Sequence, residues 1–578
     1  GGAARLDGIE WNVRLSKFDN LPILGKFHTT FEQYWADPEF RPFDPDEFHQ
    51  AVTQHKRQRS AGLLRFDIAP KAHQSEILDD LQAERARGHH RNLVVAATGT
   101  GKTVVAALDY KRLRKGHPRI LFVAPRREIL EQSLNTFRVV LRAGGFGEAL
   151  FQGDVPHTWN EVFASIQSLP AARLANIPPD HFDVVIVDEF HHAAADSYDR
   201  LLEHLKPKVL LGLTATPERT DGKSILHHFG GRIASEIRLW KALDQGLLSP
   251  FQYFGLAGPD VSGVTWSRGR YDPSELSNVY TADHLFVKRV LQELQGKVGD
   301  VHSMRALGFC VDIAHAEFMA EQFNEHGIKA HAVSSRTRSA DRDSALRDLD
   351  AGKVQIVFSV DLFNEGVDVP RVDTLLFLRP TESATVFLQQ LGRGLRLAEG
   401  KSCCTVLDFI GGAHRKFRFD VRYRAIVGGT RRSVEAQVRA GFPSLPTGCF
   451  MSLDRTSQEA VLKNIHDALG SGHRGLIEDL RVLGRETPDL SLAAFLTETG
   501  TELEDIYASS GGWTWTQLRR AAGLEKRERT AADKKIERAF DRLLHIDDVA
   551  RHRGLRALVG KSSAPKADAD DHWQRLLY

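Results

Sequence analysis

Between Asn92 and Asp408 the chain runs twice through one alternation, in which short unbroken apolar runs are separated by helix-like stretches, and this restricts its fold more than any other feature. In the first series the runs are Asn92 to Ala97, Arg119 to Ala124, Val162 to Ile166, Val184 to Val187 and Val209 to Leu213. In the second they are Arg305 to Cys310, Lys329 to Val333, Val354 to Ser359, Thr374 to Leu378 and Cys404 to Asp408. A strand with one solvated face alternates apolar and polar residues, whereas a strand covered on both faces does not. Covered strands alternating with helices predict a parallel sheet flanked by helices, so the chain is expected to hold two doubly wound α/β domains in tandem. The Gly/Pro/Ser-rich stretch Gly255 to Ser277 is read as the separator between them.

With 578 residues the chain exceeds the roughly 250 to 300 residues at which a single core stops growing, which leaves room for further modules on both sides. Upstream, aromatic residues and the turns Asp37-Pro38 and Asp44-Pro45 lead into the basic stretch His55 to Arg59 and read as a small module with a linker. Beyond about Gly411 the β pattern fades, and segments such as Gln458 to Leu469 and Leu476 to Leu483 space apolar residues by three and four, as amphipathic helices do. The C-terminal quarter is expected to be mainly helical, ending in a linker-like tail from Ser562 to Asp571. A balance of 77 basic and 75 acidic side chains gives no overall field, so any site for a polyanion has to be a local patch. The four cysteines form no C-x-x-C pair, and no run of about 18 apolar residues occurs; a cytoplasmic chain without a membrane span is expected. The opening Gly1-Gly2, without Met, is compatible with a fragment or a processed chain.

The stretch Ala96-Ala97-Thr98-Gly99-Thr100-Gly101-Lys102-Thr103 follows the run Leu93-Val94-Val95 and precedes a helical run from Val104 to Arg112. Strand, glycine loop and helix in that order make a phosphate cradle: Gly99 and Gly101 let successive N–H groups converge, and the helix aims its positive end at the same place. Thr98, Gly99, Thr100, Gly101, Lys102 and Thr103 are therefore expected to bind ATP, with Lys102 on the β and γ phosphates and the Thr103 hydroxyl on Mg²⁺. Asp188-Glu189-Phe190-His191 follows the run Val184 to Val187, so both carboxylates emerge at the carboxyl end of a strand. Asp188 suits Mg²⁺, and Glu189 suits orientation of the attacking water. In the second series, Gln389-Gln390-Leu391-Gly392-Arg393-Gly394-Leu395-Arg396 sets Arg393 and Arg396 three apart, expected on one helical face, and guanidinium groups suit charge developing on a transferring phosphoryl.

Taken in order, these motifs resemble those of DEAD/DEAH-type superfamily-2 helicases over about Phe66 to Asp408. The resemblance implies two RecA-like domains, one over residues 61–250 that binds ATP and one over 251–425, with a phospholipase-D-like remnant and linker over 1–60 and a helical extension over 426–578. It also implies roles for individual residues. Gln74 resembles the adenine-reading glutamine; Pro125, Arg126, Arg127, Ser165 and Gln167 resemble residues that contact the nucleic-acid backbone; Gly366 and Asp368 lie in a motif that touches both ATP and the strand; His191, Thr214, Thr216 and Gln389 resemble residues coupling hydrolysis to movement. The family implies a DNA-stimulated ATPase that translocates along or unwinds DNA, in DNA repair or phage defence, with ATP and Mg²⁺ as cofactors. Because Asp-Glu-Phe-His is neither Asp-Glu-Ala-Asp nor Asp-Glu-Ala-His, and because Gly212 to Arg219 resembles bacterial DNA translocases, DNA is favoured over RNA. An RNA helicase, a DNA-binding module with little turnover and a nucleotide kinase are the alternatives.

Segment Ala4 to Pro45, including Asp7 to Arg14, resembles the end of a phospholipase-D-like nuclease domain, yet the H-x-K-x-x-x-x-D element of that chemistry does not occur near it, so no nuclease activity is expected. From His414 to Arg432, seven basic residues interleave with Phe417, Phe419 and Tyr423, which fits either a grip on phosphates and bases or a solvated basic face. Trp513 and Trp515 read as core residues more than as a DNA-binding helix end. The histidine pairs at 89 and 90, 191 and 192, and 227 and 228 have no ligand at metal spacing, so no structural metal is expected.

Overall fold

The computed structural model describes residues 68–525 except 152, 191–194, 216–224, 268–269, 361–368, 415–416, 471, 485–489 and 508–512. The proposed N-terminal remnant, with Asp7 to Arg14, lies outside the described residues. The chain divides into two compact units, one of residues Gly1–Ala69 with Phe137–Phe146, the other of Pro70–Thr136 with Gly147–Tyr578. In the described part of the first unit Phe137 stacks on Phe146 at 6.1 Å.

The second unit holds two seven-stranded parallel sheets. The first joins β1 (Arg91–Ala96), β2 (Ile120–Ala124), β3 (Glu148–Leu150), β4 (Glu161–Ser165), β5 (Val184–Asp188), β6 (Val209–Thr214) and β7 (Ser235–Ile237) in the order β3-β4-β2-β5-β6-β1-β7. Every residue of β2, β5 and β6 is buried, as strands covered on both faces must be. After β8 (Phe251–Ala257) and a short hairpin of β9 (Trp266–Ser267) and β10 (Arg270–Tyr271) come β11 (Ala306–Phe309), β12 (Ala330–Val333), β13 (Ile356–Ser359), β14 (Thr374–Phe377), β15 (Cys404–Ile410) and β16 (Phe450–Leu453). The second sheet runs β12-β13-β11-β14-β15-β8-β16. Two tandem α/β sheets are thus the architecture that the apolar runs predict.

The separator reading fails at its start. Phe251–Ala257 is an interior strand that pairs with β15 from Phe251 to Ala257 and with β16 on its other side. Gln252 and Gly255 interrupt its apolar run: Gln252 is exposed, and Gly255 leaves the room that Leu453 of β16 fills.

The C-terminal region is largely helical, with a core of Leu476, Leu480, Phe495, Ile506 and Leu518 and with Trp513 and Trp515 packed at its margin. That region joins the second sheet through the His414 to Arg432 stretch, whose described aromatic rings and most of whose described arginines are turned into the fold. Phe417, Phe419 and Tyr423 are buried, and so are Arg422 and Arg431. Arg418 makes two 2.8 Å bonds to Asp420 and reaches Asp479 at 3.3 Å, while Arg431 donates to Asp479 at 2.7 Å and to the Thr499 carbonyl at 2.9 Å. Arg422 pairs with Asp408 beneath Tyr253 and lies 4.0 Å over the Phe387 ring, and Arg432 pairs with Asp505. The carboxylates that meet these charges come from β15 (Asp408), from the stretch itself (Asp420) and from the helices that follow (Asp479 and Asp505). Arg415 and Lys416 lie outside the described residues. Among the described residues no helix is long and apolar enough to cross a membrane.

Candidate nucleotide site and the edge beside it

In a parallel sheet every strand delivers its following loop to one edge, and the sheet order sets which loops are neighbours. Here β5, β6 and β1 are consecutive, so the Asp188 loop, Thr214 and the glycine loop are side by side. Thr214 stands opposite Val95, and Leu213 stands opposite Asp188.

The glycine loop has the shape that its sequence predicts. Gly99 and Gly101 take φ of 93° and 86°, a region where other residues are strained, and Gly101 caps the helix Lys102–Leu113. Thr100 is buried, and its hydroxyl donates to the Ala97 carbonyl at 2.8 Å. The Lys102 ammonium donates to the Ala96 carbonyl at 3.1 Å and lies 3.8 Å from the Glu189 carboxylate. Thr103, half-buried, occupies the second position of the helix, while Thr98 is half-buried and Gly99 exposed at the loop's tip.

Gln74 is buried beneath this loop. Its side-chain oxygen accepts from the Lys71 backbone N–H at 3.0 Å, and a Cβ added to Gly101 would stand 2.7 Å from its Nε2. His73, which motif reading did not single out, places Nε2 2.9 Å from the Thr100 carbonyl, which requires the proton on that nitrogen. Both side chains brace the loop from below.

Asp188 is buried, and its Oδ1 accepts from the Glu189 backbone N–H at 2.9 Å. Glu189 takes φ of 50°, the left-handed region that costs a non-glycine residue about 1 kcal/mol or more. Strain of this kind persists only where surrounding structure imposes it, and here it falls on the carboxylate facing Lys102. For Mg²⁺, the candidate ligands are a hydroxyl on the helix's first turn and a carboxylate at a strand end, hard oxygen donors of the type that ion takes.

From the second sheet comes the helix Ala384–Gly394, capped by the Ser383 hydroxyl. Gln389 and Arg393 on it are buried. One expectation is corrected: the helix stops at Gly394 with Leu395 as its cap, so Arg396 lies past its end and does not share a helical face with Arg393. The Arg396 carbonyl instead accepts from the Ser249 hydroxyl at 3.1 Å and from Lys401 at 2.8 Å. Burial lowers the Arg396 pKa from its usual value.

The helix rests on the glycine loop. A Cβ at Gly392 would stand 2.9 Å from the Thr98 Cβ, and one at Gly99 would stand 3.4 Å from Cγ of Arg396. The close approach requires a glycine at 392, whereas at 99 the positive φ requires it. The Ser249 N–H donates to the Leu395 carbonyl at 2.7 Å, so the segment linking the sheets is tied to the same turn. A cavity of about 830 Å³ opens beside this contact, between Thr98, Trp240, Thr385, Gly392 and, from the C-terminal region, Gly500.

The residues read as contacts to a nucleic-acid backbone lie farther along the same edge. Ala124 and Ser165 are opposite each other on β2 and β4, so Pro125, Arg126 and Arg127 neighbour Ser165 and Gln167. Their local roles are modest. Arg127 is exposed and pairs with Glu131 at 2.5 Å; Ser165 caps its own turn by accepting from Ser168 N–H at 3.2 Å; Gln167 is exposed. His191, Thr216, Gly366 and Asp368 lie outside the described residues.

The histidine pairs are corrected in one case. Asp199, on the helix Ala195–His204, places Oδ1 2.8 Å from His228 Nε2 and 4.0 Å from His227 Nε2, so that pair does meet a third ligand. His89 meets Glu84 at 2.8 Å, and residues 191 and 192 lie outside the described residues.

Residues 67–219 match the family model described as type III restriction enzyme, res subunit, and residues 288–398 match the helicase conserved C-terminal domain. IRC3 of Saccharomyces cerevisiae, named as a candidate ATP-dependent helicase, is 28% identical over 382 residues, which cover 60% of this chain and 54% of that protein. The EcoAI type I restriction enzyme endonuclease subunit of Escherichia coli is 26% identical over 379 residues, covering 59% and 46%. The chain thus spans about half the length of these curated relatives. Among solved structures, the ATP-dependent type ISP restriction-modification enzyme LlaBIII bound to DNA superposes with a TM-score of 0.51 at 16% identity, over 72% of this chain and 34% of that one, a likeness of fold.

Proposed function

We propose that this chain, which carries the paired res-subunit and C-terminal domains of a superfamily-2 helicase, hydrolyses ATP to move along DNA. The packing of Gly392 on Thr98 carries this reading, because it seats the Arg393 helix of one sheet against the phosphate loop of the other. In the proposed cycle Lys102 leaves the Ala96 carbonyl for the β and γ phosphates, and Thr98 to Thr103 cradle them. Bound Mg²⁺, held by Thr103 and Asp188, would neutralise phosphate charge. Glu189 orients the attacking water, Arg393 and Arg396 meet charge developing on the γ-phosphate, and Gln74 braces the loop beside the base. Thr214, Thr216, His191 and Gln389 relay closure, with Gly366 and Asp368 completing the ATP site from the second domain. Opening after hydrolysis shifts the strand held along Pro125, Arg126, Arg127, Ser165 and Gln167.

DNA is the proposed track because Asp-Glu-Phe-His departs from the Asp-Glu-Ala-Asp and Asp-Glu-Ala-His forms, and because a relative is a subunit of a restriction endonuclease. A setting in DNA repair or phage defence is part of the same proposal. The DEAD/DEAH label itself stays a resemblance of motif order. The division into 1–60, 61–250, 251–425 and 426–578 is proposed with it; β16 returns to the second sheet from within the last span. ATP hydrolysis measured with single-stranded DNA, duplex DNA and RNA tests the reading. DNA should stimulate turnover well above RNA; equal stimulation by RNA would remove the DNA assignment, and no turnover under any condition would remove the motor.

A further inference from the structure

Behind Glu189, Phe190 packs at 5.3 to 5.7 Å on Tyr198, His228 and Phe229. Tyr198 belongs to the helix Ala195–His204, and His228 and Phe229 belong to the turn of 3-10 helix Leu226–Phe229. On the outer side of this packing, Asp199, His227 and His228 bring one carboxylate oxygen and two imidazole nitrogens within 4.8 Å of one another.

The arrangement of the two rings needs explaining. Consecutive side chains of a 3-10 turn diverge by about a third of a revolution. The side chain of His227 is 64% exposed and has open solvent to turn into. Its ring nevertheless lies 3.8 Å from that of His228, with its Nε2 directed to the carboxylate that His228 already meets. The Asp199–His228 hydrogen bond thus has a second imidazole beside it, on the same side of the turn.

We infer that Asp199, His227 and His228 form a binding site for a zinc-like divalent ion, with the remaining coordination positions open to water. Two imidazoles and a carboxylate are the donor set of borderline transition ions, whereas Mg²⁺ and Ca²⁺ take oxygen donors. Bonds of about 2.0 to 2.2 Å at tetrahedral angles set donor atoms about 3.3 Å apart. The carboxylate–His228 spacing of 2.8 Å and the carboxylate–His227 spacing of 4.0 Å bracket that value, and all three donor atoms lie within 4.8 Å of one another, so binding calls for side-chain rotation that draws the wider pairs together. A bound ion would pin the helix Ala195–His204 to the 3-10 turn across the face of Phe190. This site uses none of the nucleotide-site residues and stands independently of the proposed motor activity.

The test is a titration of the chelator-stripped full chain with Co²⁺, read by its visible d–d absorption, and then with Zn²⁺ in competition. The unmodified chain should bind one more equivalent than His228→Ala. Asp199→Asn should weaken that equivalent by about tenfold or more. His227→Ala alters an exposed side chain, and it decides the matter if His228→Ala fails to fold. Equal stoichiometry and affinity in the unmodified chain and in His227→Ala would overturn the site.

Discussion

The two halves of the first sheet's carboxyl edge are made alike, each strand ending in a loop that opens a helix or turn, yet their polar groups stand in opposite circumstances. Over β1, β6 and β5, Thr100, Lys102, Asp188 and Thr214 are buried and Glu189 is held at positive φ. Over β2 and β4, Arg127 and Gln167 are exposed and Ser165 serves its own turn. Burial of a polar group has a free-energy cost that demands a compensating role, whereas an exposed one has none to explain. The half proposed to hold the nucleotide is therefore marked by its construction, and the half proposed to hold the strand is not.

Several substitutions would break or sharpen that contrast. Lys102→Ala should abolish hydrolysis, read by phosphate release, because it removes the ammonium that stands between the Ala96 carbonyl and the Glu189 carboxylate. Residual turnover near the starting rate would erase the distinction between the halves. Arg422→Ala should cost about 3 kcal/mol or more of stability in denaturant unfolding, since it leaves the Asp408 carboxylate buried without its cation. If that Arg served nucleic acid, stability would hold and DNA affinity would fall. Gly392→Ala should lower turnover by roughly tenfold, because a methyl group 2.9 Å from Thr98 pushes the helix off the loop by an overpacking cost of about 1 to 3 kcal/mol. The smallest change is expected for Arg127→Ala: DNA binding weaker by a factor of a few, with the salt dependence shallower by about one ion.

The glycine loop and the Asp-Glu pair were legible because strand, turn and helix are local and the residue types are demanded by backbone geometry. Ten apolar runs marked ten strands for the same reason. The other six strands, β3, β7, β8, β9, β10 and β16, escaped notice: Gly255 and Gln252 break the run of β8, and the rest are only two to four residues long. The end of the helix at Gly394 was hidden because the next turn is held by Lys401 just downstream and by Ser249, 147 residues away in sequence. Arginines 418, 422, 431 and 432 looked available because Asp408, Asp479 and Asp505 approach them only through the fold. Likewise Asp199 and His228, 29 residues apart, meet only once the 3-10 turn folds back.

Arg393→Ala, followed for nucleotide affinity and for turnover on one preparation, examines most directly whether the second sheet completes the chemistry of the first. The account predicts ATP affinity within a few-fold of the starting value and turnover lower by about a thousandfold or more. Turnover that survives the substitution, or affinity and turnover that collapse together, would contradict it.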